Sequence, residues 1–186
     1  MTHAVPSSNV DFEDYIDIDI GEGRLEWVNG HVYAMAGGNQ RHSLVAGLIH
    51  ARLQEGAFGK GCSPHVENRR LRTEFTSYYP DAMVVCGPAG HDQYETDANL
   101  LVEVLSPSTQ AVDRREKPMV YMRLPSFEQY LLVDPDRVSI EVGELRKGKL
   151  DWTCYGSGDT VRTPYGALAL DDLYRTVDLL ATRKTL

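Results

Sequence analysis

Long apolar runs are missing from this chain of 186 residues. The longest, such as Ala82 to Cys86, fall far short of the roughly 20 residues that a membrane-spanning helix needs. Met1 to Asp19 carries acidic residues where a secretory leader needs a basic and then an apolar stretch, so a cytoplasmic protein is expected, with no membrane partner. Cysteine is scarce. Cys62, Cys86 and Cys154 are odd in number and widely spaced, without zinc-ligand spacing, and the expectation is buried free thiols rather than a disulfide framework. Basic residues are in deficit: 19 Lys and Arg face 27 Asp and Glu, for a net charge of −8. That balance argues against nonspecific nucleic-acid binding over the whole surface, which needs a basic footprint. It leaves room for a local basic cleft, because salt screens charge over about 8 Å.

What is present suits one soluble-type domain. The hydrophobic share is 42% and the charged share 25%, near ordinary globular values, which excludes collagen and disorder. Residues 1–23 read as a lead-in with a short helix, 24–178 as a single domain, and 179–186 as a tail. Arg24 to Ala36 reads as a hairpin around Asn29-Gly30, a pair that tolerates the positive φ of a tight turn. Gln40 to Gln54 carries Leu44, Leu48 and Ala51 at helical spacing, with Asn39 as its N-cap and Gly56 and Gly59 as its break. Strands are expected at Pro64–Val66, Arg70–Thr73 and Pro80–Cys86, followed by a polar loop from Gly87 to Thr96. Leu100 to Leu105 is apolar except for Glu103, as in a strand buried on both faces. A helix within Val112–Leu124 and strands at Phe127–Val133, Val138–Glu144 and Lys149–Tyr155 follow. Leu168 to Tyr174 reads as a strand end passing into a short helix. The order gives a mixed α/β sheet flanked by helices.

Glu103 is the first chemical oddity, because a carboxylate inside a core strand needs a partner, a proton or a metal. Asp81, behind Pro80, opens another buried strand. If the two strands are neighbours, their carboxylates meet, and two such charges ~4 Å apart repel by about 4 kcal/mol at an effective dielectric of 20. A hard cation such as Mg²⁺ or Mn²⁺ relieves that repulsion. The plainer alternatives are a salt bridge or a solvent-facing strand end for Glu103, and a turn aspartate for Asp81. Lys117 and Tyr121 stand i and i+4 on the expected helix, and so on one face. A lysine aimed at the acids would orient water or stabilise developing charge; a solvated surface lysine is the alternative. Arg114 and Arg115 are phosphate contacts or a solvated helix face.

Tyr79-Pro80-Asp81, then Leu101-Val102-Glu103-Val104-Leu105-Ser106-Pro107-Ser108-Thr109, then Asp113-Arg114, Glu116-Lys117 and Tyr121, resemble the Uma-type family of bacterial restriction-endonuclease-like proteins, within the PD-(D/E)XK nuclease superfamily. The likeness extends to Val28-Asn29-Gly30, Met35-Ala36-Gly37-Gly38, His42, Leu124 to Phe127 and Tyr130 to Asp134. It implies a restriction-endonuclease-like α-β-β-β-α-β core, with Mg²⁺ (or Mn²⁺) held by Asp81, Glu103 and the Val104 carbonyl. The superfamily's lysine position, two residues after the glutamate, is Leu105 here, and Lys117 inherits the role by position. Glu26 and His42 match family positions near the site. Pro118 departs from the family, and either starts the helix near Arg115 or kinks it at Lys117.

The resemblance implies a metal-dependent endonuclease acting on DNA, with Arg69, Arg70, Arg72, Arg114 and Arg115 as backbone contacts and a homodimer as the natural form for cutting two strands. A nuclease-like fold kept as a noncatalytic interaction module is the alternative. A glycosidase-type acid pair ranks last, because nothing in the chain advertises a sugar cleft.

Overall fold

The computed structural model describes residues 9–18, 23–35, 37–88 and 90–182. In chain order the elements are α1 (Phe12–Ile16), β1 (Leu25–Val28), β2 (His31–Ala34), α2 (Gln40–Gly59), β3 (Ser63–Val66), β4 (Arg70–Arg72), β5 (Thr76–Tyr78), β6 (Ala82–Val85) and β7 (Tyr94–Glu95). They continue with β8 (Leu100–Val104), α3 (Gln110–Arg115), α4 (Lys117–Tyr121), β9 (Gln129–Asp134), β10 (Ser139–Arg146), β11 (Lys149–Tyr155), β12 (Thr160–Thr163), β13 (Gly166–Ala169) and α5 (Leu170–Ala181).

A six-stranded sheet in the order β11-β10-β9-β8-β6-β3 forms the centre. Its neighbours are antiparallel except β8 and β9, which run parallel and are joined by the α3–α4 crossover. Read along the chain, α2, β3, β6, β8, α3–α4 and β9 are the expected α-β-β-β-α-β core. A second sheet, β2-β1-β5-β4-β7, stands beside it, and β12 and β13 form a hairpin. The expected mixed sheet with flanking helices is present, and a second sheet and a hairpin join it, whose strands β5, β7 and β12 are too short or too polar to announce themselves.

Side-chain alternation divides the centre into two cores. Ala82, Val84, Leu100, Val102 and Val104 face α2 and α5, with Ile49, Leu53, Leu173 and Val177 across from them. Met83, Leu101, Tyr130 and Leu132 face the other way, toward Tyr121, Leu124 and Phe127. Each fully buried Leu, Ile or Val contributes about 1.5–3 kcal/mol, so β8, buried at all five positions, is firmly seated. A third cluster packs Phe12 and Tyr15 of α1 on Leu25, Trp27 and Val32.

Local signals explain most boundaries. Asn29 and Gly30 take φ of 48° and 82°, as the hairpin turn requires; Ala36 lies outside the described residues. The Asn39 side chain accepts from the His42 N–H at 2.9 Å, capping α2. The helix does not stop at Gly56, however, but runs to Gly59. Gly56 lies under the β12–β13 turn, where an added Cβ would overlap the Tyr165 carbonyl oxygen. Its smallness serves a close approach, not a break.

Cysteine is a further correction. Cys62 and Cys86 are joined by a disulfide, and Cys154 is free and exposed. Because Ser63 pairs with Val85, the residues just outside that pair face each other, with Cα atoms 4.3 Å apart. Strand register, which spacing in the sequence does not reveal, makes the bond. No helix among the described residues is long and apolar enough to cross a membrane.

Candidate active site

Parity places the two acids. The β6–β8 register pairs Ala82 with Val102 and Met83 with Leu101; one further step sets Asp81 opposite Glu103. Both side chains then leave the sheet on the α4 side, and both line one cleft of about 550 Å³. The Val104 N–H donates to Asp81 Oδ2 at 2.7 Å, tying the acid to the neighbouring strand. His42, brought in by the first turn of α2, places Nε2 3.2 Å from the same oxygen. Burial would lower the His42 pKa, but the Asp81 hydrogen bond and charge outweigh it and hold the imidazole above its usual value.

Glu103 is buried, and its Oε1 meets two donors: Lys117 Nζ at 2.9 Å and the Tyr121 hydroxyl at 2.9 Å. The spacing of four residues puts Lys117 and Tyr121 on one face of α4, as expected. Pro118 does no harm. The single expected helix is divided at Glu116 into α3 and α4, so Pro118 falls in the first turn of α4, where a missing N–H costs nothing.

Asp113, whose sequence position alone signals no role beyond its i, i+4 spacing from Lys117, joins the site. It is 1% exposed, and its Oδ1 lies 2.9 Å from Lys117 Nζ. Glu26, on β1, is buried as well and accepts the Tyr79 N–H at 3.3 Å. Three buried carboxylates thus surround one ammonium. Burial pushes Glu103 well above the ordinary carboxylate range despite Lys117, and raises Glu26 too. Burial alone would lower Lys117, but Glu103, Glu26 and Asp113 together hold it well above its usual value. The centre is short of positive charge.

Among the described residues no three His, Cys, Asp or Glu side chains cluster to hold a metal by themselves. A hard cation that keeps several waters needs only one or two carboxylates. Asp81 Oδ1 and Glu103 Oε2 receive no protein hydrogen bond among the described residues, so an all-oxygen donor set with a charge deficit is on hand. It fits Mg²⁺ or Mn²⁺ better than a soft metal.

The predicted arginines are not brought to this place. Arg69 holds Glu95 at 2.8 and 2.6 Å, Arg70 lies over the rings of Tyr15 and Tyr79, and Arg72 covers Phe12. Arg114 makes a two-pronged pair with Glu141 at 2.8 and 2.7 Å, and Arg115 is exposed. None of the five lines the cleft. The lining instead holds Glu26, Glu67, Asp81, Glu103, Asp113, Glu116 and Asp136 against Arg24 and Lys117.

With this geometry, likeness to known proteins becomes informative. A family model described as "Uma2: Putative restriction endonuclease" matches residues 11–170. The chain belongs to the Uma2 family. Two relatives come from Synechocystis sp. (strain ATCC 27184 / PCC 6803 / Kazusa). "Uncharacterized protein slr1290" is 34% identical over 63% of this chain, and "Uncharacterized protein sll1609" is 30% identical over 60%. The chain spans 64% and 66% of their lengths, just under two thirds. A solved structure described as a putative nuclease belonging to DUF820, from Anabaena variabilis ATCC 29413, superposes with a TM-score of 0.75 at 14% identity. That match covers 89% of this chain and 97% of the other, and it establishes the nuclease-like fold of this Uma2 protein.

Proposed function

We propose that this Uma2 chain is a divalent-cation-dependent endonuclease that hydrolyses phosphodiester bonds of DNA. The observation that carries the reading is the meeting of Asp81 and Glu103 on one cleft face, with Lys117 Nζ 2.9 Å from Glu103. The family description and the nuclease-like fold support it.

Asp81, Glu103 and the Val104 carbonyl would hold Mg²⁺ or Mn²⁺. When bound, such an ion neutralises phosphoryl charge and makes a coordinated water more acidic. The other work falls to the chain. The His42 imidazole and the Val104 N–H fix Asp81 Oδ2, and the Tyr121 hydroxyl fixes Glu103 Oε1, leaving the second oxygen of each acid without a protein hydrogen bond among the described residues. Lys117 keeps its proton, because the surrounding carboxylates raise its pKa. It therefore acts as a charged donor to a phosphoryl oxygen as negative charge builds, rather than as the base that takes a proton from water. Glu26 supplies a second buried carboxyl behind the site, its pKa raised by burial. A two-fold pair of chains would present two such clefts to two strands.

Purified protein with Mg²⁺ is expected to nick or linearise supercoiled DNA, and Asp81→Ala is expected to abolish this. Equal residual cutting by both proteins discards the reading. The acidic cleft favours one competitor, a noncatalytic interaction module on the same fold. Calorimetric titration with Mg²⁺ or Mn²⁺ separates them: heat lost in Asp81→Ala supports the nuclease, and no heat in the wild type supports the module.

A further inference from the structure

Nucleic-acid sites ordinarily grip phosphate with lysine and arginine. In this cleft those side chains are few and already paired with carboxylates. Lys117 sits 2.9 Å from both Glu103 and Asp113, and Arg24 lies 3.9 Å from the Glu67 carboxylate while donating to the Glu67 carbonyl. Seven lining carboxylates outnumber those two cations. A polyanion needs some other hold.

The wall beside Glu103 offers one. Directly after β8 the chain turns through Ser106, Pro107, Ser108 and Thr109, all of which line the cleft. The Leu105 N–H bonds to the Val133 carbonyl, and the Thr109 and Gln110 N–H groups return to the Ser106 carbonyl, so the turn is closed on itself and its start is anchored to β9. Ser106 Oγ lies 3.0 Å from Ser108 Oγ and 2.9 Å from Thr109 Oγ1. Each hydroxyl brings one hydrogen. Three hydrogens serve two contacts, and Ser106 Oγ also accepts the Thr109 N–H at 3.3 Å. Among the described residues one hydroxyl hydrogen therefore has no protein acceptor, and the half-buried residues that share it line the cleft.

We infer that Ser106, Ser108 and Thr109 form the phosphate-holding subsite, gripping a nucleic-acid phosphodiester through neutral hydroxyl donors in place of basic side chains. The inference rests on reading the cleft as a phosphodiesterase site. Its physical signature is salt dependence. Neutral donors release no counterions, so even with both cleft cations, Arg24 and Lys117, on phosphate the slope of log K against log[salt] for a single strand is no steeper than about −1.4. Engagement of all five arginines outside the cleft would give about −3.5.

The test is fluorescence anisotropy of a short labelled single-stranded DNA oligonucleotide with the full chain. Ca²⁺ replaces Mg²⁺ as an oxygen-ligated but less activating ion, and KCl is varied. The wild type is expected to bind with the shallow slope. The Ser106→Ala/Ser108→Ala/Thr109→Val variant is expected to bind about tenfold or more weakly, with the slope and the heat of Mg²⁺ binding unchanged. Ser108→Ala alone leaves the Ser106–Thr109 contact that closes the turn; it guards against misfolding and is expected to weaken binding about threefold. Unchanged affinity in both variants, or a wild-type slope near −3.5, overturns the inference while leaving the nuclease reading intact. A wild type that neither binds the oligonucleotide nor cuts DNA overturns both.

Discussion

Replacing Lys117 by methionine tests the charge balance of the site most directly. The ammonium lies 2.9 Å from Glu103 Oε1 and 2.9 Å from Asp113 Oδ1, and all three side chains are at least 95% buried. At an effective dielectric of 20 each contact is worth about 6 kcal/mol of Coulomb attraction. Desolvation offsets most of that gain, and removing one member of such a buried set typically costs about 3–5 kcal/mol. Methionine keeps the length and the apolar stem, so the loss reports charge rather than volume. Glu103, already raised by burial against the opposing charge of Lys117, loses that charge and escapes by holding a proton in the folded state. Its folded pKa then lies above the unfolded value near 4, the native state binds more protons than the unfolded one, and stability falls as pH rises through that window. Urea denaturation of Lys117→Met against the wild type is therefore expected to show little difference near pH 4 and a deficit of about 3–5 kcal/mol near pH 8. Mg²⁺ is expected to restore part of the deficit at the higher pH. A pH-independent difference, or one below ~1 kcal/mol at the alkaline end, would refute the claim that Lys117 balances buried charge.

Two further perturbations probe the frame around the site. Gly56→Ala puts a Cβ against the Tyr165 carbonyl, and because backbone cannot yield cheaply, a loss of about 1–3 kcal/mol is expected in the same denaturation assay; a neutral or stabilising effect would mean that the hairpin does not press on α2. Reducing the Cys62–Cys86 bond, which closes a separation of 24 residues, is expected to cost about 2–4 kcal/mol and lower the melting temperature. An unchanged melting curve with and without reductant would show that register alone holds β3 on β6.

The elements that carry the site were legible for specific reasons. Asn29-Gly30 declared its hairpin because few residue pairs accept two positive φ values. Glu103 stood out because a charge in a core strand demands an explanation, and the spacing of Lys117 and Tyr121 made one helix face of them. Asp113 carried the same i, i+4 signal and went unread, since an aspartate next to two arginines looks like a solvated charge. The arginines misled for the converse reason. Their nearness to the motif along the chain says nothing about Glu95, Glu141 or the rings of Tyr15 and Phe12, which claim them in the fold.

Sequence alone determined most of the strands and helices, which faces are apolar, and that Asp81 and Glu103 need company, because these depend on local alternation, turn chemistry and the cost of burying charge. Register was decided only in three dimensions. It set Asp81 opposite Glu103 and brought Cys62 to Cys86, while the α3–α4 crossover swung Lys117 into reach of Glu103. Pairing between distant strands is a property of the whole packed core, where each side chain's position depends on all the others, and no local pattern encodes it.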